Sequence, residues 1–138
     1  MREYFDKELT QLNDSLIEMG GLVEQAIKNT MKMIVDGEDL LDIAREHENR
    51  INDAEKSIQS RCLHLLLHQA PVAHDLRYVS AALKMITDLE RIGDQAVDIS
   101  ELTIAMSQKP YIKNLEHIRS MAKETMIMVI DSLQAFVD

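Results

Sequence analysis

Apolar residues return every three or four positions along almost the whole chain. Leu9, Leu12, Leu16, Met19, Val23, Ala26, Thr30 and Ile34 mark a first stripe, with the step of one face of an α-helix. Asp36-Gly37 ends it, because glycine accepts the left-handed conformation past a helix C-terminus. The rhythm resumes at Leu40 and passes through Ala44, His47, Ile51, Ala54, Ile58, Cys62 and Leu65 to Ala70-Pro71, where proline stops a helix. A third stripe, capped by His74 or Asp75, carries Leu76, Val79, Leu83, Ile86, Gly93, Val97 and Ile104 and stops at Lys109-Pro110. A fourth carries Leu115, Ile118, Ala122, Met126, Val129, Leu133 and Phe136. Short connections make sequential helices antiparallel neighbours. The pattern therefore predicts an all-α, antiparallel up-down bundle of three long helices plus a fourth.

The fourth stripe resembles the first. With an offset of 102 residues, Met19 meets Met121, Thr30 meets Ser132, Ile34 meets Phe136 and Asp36 meets Asp138. Such a repeat divides the chain into a three-helix unit, residues 1–109, and the first helix of a second unit, residues 110–138. The fourth helix then bears apolar residues that nothing of its own covers. It is expected to fold onto the first unit or to meet another copy of the chain.

The third helix holds a row of acids. With Leu83 as origin and about 100° per residue, Ile86, Leu89, Gly93, Ala96 and Val97 fall on one core face. Glu90, Asp94, Asp98 and Glu101 fall together along its edge, and Arg91 is the single base in that stretch. Like charges four apart weaken a helix, and an adjoining apolar surface adds desolvation to that cost. A bound cation offsets both. Hard carboxylate oxygens suit magnesium, calcium, manganese or iron better than thiolate-seeking metals. A solvated acidic face is the other reading the spacing leaves open. On the second helix Glu48, Asn52 and Glu55 share a side and form a candidate opposing set, Asn52 as a neutral hydrogen-bonding member. Gly93 costs its helix about 1 kcal/mol relative to alanine, which points to the close approach of another helix.

The remaining chemistry is sparse. His64 and His68 form an i,i+4 pair without the glutamate of an HExxH motif. His47 is expected at the core edge with a hydrogen bond, His74 in the turn before the third helix, and His117 in solvent. No histidine follows a glutamate by three, as a ferritin-type di-iron site requires. Cys62, the single cysteine, reads as core and allows no internal disulfide. Neither a serine–histidine–acid set nor a glycine-rich phosphate loop stands out. The expected protein is a non-catalytic binding bundle.

Composition narrows the setting. The 138 residues are 46% hydrophobic, enough for one domain with a real core. A net charge of −9 disfavours nucleic acid and favours cations. No apolar run approaches the ~20 residues of a membrane span, and the first residues lack a signal peptide's apolar block. A soluble, cytoplasmic protein is expected, with peripheral attachment to a membrane complex left open.

MGGLVEQAI in the first helix, QAPVAHDLR at the second turn and DLERIGDQA in the third helix together resemble the PhoU family, accessory proteins of bacterial phosphate-specific transport. The resemblance covers essentially the whole chain. It implies two three-helix units related by an internal repeat, so the fourth helix begins the second. It implies iron or zinc clusters held by a Glu/Asp-x-x-x-Asp motif, matched by Glu90 and Asp94, with Asp98 and Glu101 extending the row and Glu48, Asn52 and Glu55 on the facing polar side. It implies a negative regulator of the phosphate-starvation response, linking a phosphate ABC transporter to a sensor histidine kinase. A second acidic motif, on a sixth helix, has no counterpart in this sequence.

Overall fold

The computed structural model describes residues 2–68, 73–107, 109–111 and 115–138, except the side chain of His68. Four helices follow one another: α1 (Arg2–Asp36), α2 (Leu41–His68), α3 (Ala73–Met106) and α4 (Glu116–Val137). No strand occurs among the described residues, and the all-α expectation is met. α1 begins two turns before Leu9 because Phe5, one turn earlier, continues the stripe and is buried. It ends where glycine was expected to end it. Gly37 has φ 71° and its N–H donates to the Met33 carbonyl at 3.0 Å.

Cross-helix contacts fix the directions. Arg61, late in α2, donates to Gln11 at 2.7 Å and to Glu8 at 3.4 Å, both early in α1. Arg2 meets Asp75 at 2.6 Å, which sets the starts of α1 and α3 side by side. Tyr78 donates to Asn13 one layer further along. Deeper still, the Thr30 and Ser100 hydroxyls lie 3.1 Å apart, with the Ala26 and Ala96 carbonyls within reach as acceptors. A satisfied polar pair in an apolar seam fixes the register of two helices. α2 thus runs antiparallel to α1 and α3.

The core is the interior of this three-helix unit. Leu12, Leu16, Met19 and Val23 of α1 meet Ile51, Ile58, Cys62 and Leu65 of α2 and Val79 and Ala82 of α3, all at most 1% exposed. Burial pushes the Cys62 thiol up to about 11 and keeps it protonated, consistent with a packing role. Asp75 departs from expectation. It is no cap but the third residue of α3, buried and held by Arg2. His74 likewise lies in the first turn of α3. The expected stop at Ala70-Pro71 falls outside the described residues. His47 departs as well, since its Nδ1 is buried without a hydrogen-bond partner. Backbone groups along a helix bond one another and leave little for a side chain at the seam.

α4 is joined to the unit chiefly through α1, to which it runs antiparallel. Leu133 fills the notch at Gly20, where an added Cβ would collide with Leu133 Cδ1. At the other end Met31 and Ala122 line one shallow groove. Under the 102-residue offset Gly20 corresponds to Ala122 and Leu133 to Met31. Phe136 adds a stack on Tyr78 of α3, ring centroids 4.5 Å apart. Elsewhere α1, α3 and α4 together line an apolar groove of about 450 Å³.

α2 and α3 also approach closely. A Cβ at Gly93 would lie 2.9 Å from Ile51 Cδ1 and 3.3 Å from its Cγ2. Gly21, the residue after the α4 notch, faces open space. Gly93→Val should therefore lower unfolding stability by about 2 kcal/mol through overpacking. Gly21→Ala should raise it by up to about 1 kcal/mol through helix propensity. Urea titrations followed by circular dichroism check the pair.

Candidate metal centre

Ile51 and Gly93 do more than close a seam. Ile51 lies between Glu48 and Glu55 on α2, and Gly93 between Glu90 and Asp94 on α3. One apolar contact thus draws two sets of carboxylates toward a common edge. Glu48, Asn52, Glu55, Glu90 and Asp94 are half-buried there, while Asp98 and Glu101 continue the row into solvent. All six acids singled out in the sequence lie along this face. Asp53, Asp88 and Arg91 are exposed.

Electrostatics records the crowding. The Glu90 carboxyl is pushed up to about 7, first by a hydrogen bond with Asp94, then by desolvation and by the charges of Asp94, Glu55 and Glu48. Glu48 is also raised, first by partial burial and then by Asp94, Asp98 and Glu101. Acids of α2 and α3 therefore act on each other across the seam. Glu90 therefore keeps its proton to a higher pH than it would alone in water. Successive turns rise ~6 Å, so the acids form a row rather than a ring. Among the described residues no three acidic, cysteine or histidine side chains already surround a common point. An ion on this face would recruit its ligands by rotamer changes.

The donor set fits a hard cation. Every candidate ligand is a carboxylate, and the Gly93 notch brings the two helices close enough to share the field. His64 is exposed and lies on a different part of α2. One contributor escaped sequence reasoning. Arg45 of α2 reaches Glu101 of α3, Nη2 to Oε1 3.7 Å. The row is thus not free of cations, as α3 by itself suggests. The available signal was the position of Arg45 three residues before Glu48, on the same edge of α2.

Fold and face together describe an all-helical bundle with a carboxylate seam. The chain belongs to the PhoU family: the family's PhoU domain matches residues 16–103. A Clostridium acetobutylicum protein, a phosphate-specific transport system accessory protein PhoU homolog, is 31% identical over 99% of this chain. A Synechocystis protein of the same name is 34% identical over 96%. The crystal structure of PhoU from Pseudomonas aeruginosa superposes with a TM-score of 0.90 at 30% identity, over 96% of this chain. These matches cover 64%, 59% and 64% of the three longer proteins, so the chain spans about three-fifths of their length.

The shifted carboxyls set a sign for stability. An acid held above its ordinary value in the folded state stabilises the fold below that ordinary value. The contribution is lost as pH rises through the folded value. With chelator present, the Glu90 contribution should fade between about 4.5 and about 7. Glu90→Gln should then raise stability at pH 8 by about 0.5 kcal/mol, the scale of a like-charge helix pair, with little gain at pH 4. Thermal melts at the two pH values check this.

Proposed function

We propose that this chain is a metal-binding adaptor of phosphate uptake. The observation that carries the reading is the convergence of α2 and α3 carboxylates at the Ile51–Gly93 contact, within a PhoU fold. Glu90 and Asp94 are the central ligands, Glu48 and Glu55 close the site from α2, and Asp98 and Glu101 extend it. Iron or zinc is the expected metal. A bound cation would neutralise the row and lock α2 to α3, giving the outer surface one fixed shape for docking. The named relatives are accessory proteins of phosphate-specific transport, which supports the same role for this chain by binding rather than turnover. In that role it couples a phosphate ABC transporter to a sensor histidine kinase and restrains the starvation response when phosphate is plentiful. No described helix is long and apolar enough to cross a membrane, so association at the cytoplasmic membrane face would be peripheral.

A division at residues 109/110 into one unit and the start of a second is supported by α4. Met121 and Met128 stand 64% and 61% exposed, whereas their repeat-mates Met19 and Ala26 are 0% and 3% exposed. The same bare face favours association of two copies through α4. A second reading, a purely structural or oligomerising module without metal, rests on that face alone.

Metal analysis separates the two readings. Protein purified without chelator should carry stoichiometric iron or zinc, and Glu90→Ala/Asp94→Ala should lose it. A wild-type protein that stays empty after reconstitution with either metal overturns the metal site. In a bacterium lacking its own PhoU, the chain should silence a starvation reporter in high phosphate, and an unchanged reporter overturns the adaptor role. Light scattering should show a dimer that Met121→Glu/Met128→Glu converts to monomer.

A further inference from the structure

Arg45 stands at the open end of the carboxylate row. Its guanidinium reaches across the seam to Glu101, Nη2 to Oε1 3.7 Å, while its backbone belongs to the helix that presents Glu48. Glu48, Glu55, Glu90, Asp94 and Asp98 form no ion pair with a basic side chain among the described residues. One cation therefore already sits on the row, and it sits at one end.

We propose that Arg45 is a tethered counter-cation that occupies the Glu101 end of the row and competes with a metal ion for that carboxylate. The inference rests on the reading of this face as a metal site. An ion bound at the half-buried end, among Glu48, Glu55, Glu90 and Asp94, leaves Arg45 in place. An ion extending toward Glu101 displaces a charge that cannot diffuse away. Guanidinium stays protonated throughout the accessible pH range, so acidity does not remove the competitor. Both partners are more than half exposed, and a pair this open to water is weak. Arg45 accordingly tunes occupancy of the outer position without blocking it.

Calorimetric titration of the metal-free full chain with Zn²⁺ tests the proposal. The set is wild type, Arg45→Gln, Glu101→Gln and the double substitution, each confirmed helical by circular dichroism. Arg45→Gln should tighten zinc binding about fivefold, the scale of releasing one surface ion pair. In the Glu101→Gln background the same change should have almost no effect. Arg45→Lys, which keeps the charge, should stay near wild type. Equal tightening in both backgrounds overturns the competition for Glu101, and so does equal zinc affinity of wild type and Arg45→Gln. Absence of zinc binding in every variant overturns the metal reading itself and this inference with it.

Discussion

Everything on the acidic face depends on how near α2 comes to α3. Gly93 offers no side chain, and Ile51 settles into the space a Cβ would take. An ordinary residue at 93 would push the helices apart and let the flanking carboxylates hydrate separately. The seam thus ties packing to charge. The contact that buries Ile51 also compels Glu48 and Glu55 to share an edge with Glu90 and Asp94.

That compulsion carries an energetic debt which the rest of the unit offsets. Carboxyls that retain protons above their usual range record unfavourable charge in the folded state. A dense apolar interior, the Thr30–Ser100 hydroxyl pair and the Arg2–Asp75 clamp hold the three helices in register against it. Strained electrostatics at an otherwise well-packed surface is the pattern expected where binding, not folding, has set the residues.

Much of this was legible in the residues, for definable reasons. Helical periodicity shows directly in the stripe Leu12–Leu16–Met19–Val23, and those four residues are buried as their spacing implies, whereas Leu76 and Ile118, near the ends of their stripes, are exposed. Glycine inside a helix signals close approach, and Gly93 marks it. The Glu90–Asp94–Asp98–Glu101 row follows from rotation about one helix axis alone. What depends on two helices was hidden. Arg45 meets Glu101 only once the α2–α3 register is set. Asp75 read as a helix cap, because its partner Arg2 lies 73 residues away. His47 read as hydrogen-bonded, because periodicity gives burial and says nothing of partners.

α4 holds on differently from the other three helices. α2 and α3 each pack against two others and α1 against three, whereas α4 leans on α1 through the Gly20 notch and touches α3 by an aromatic stack at its end. Cooperativity follows the density of such contacts. The molecule is therefore graded, with a trio that opens only by global unfolding and a last helix that detaches as a separate, lower-energy excursion. Amide hydrogens along α4 would exchange on that faster clock, and whatever clamps α4 from outside would slow it without touching the core.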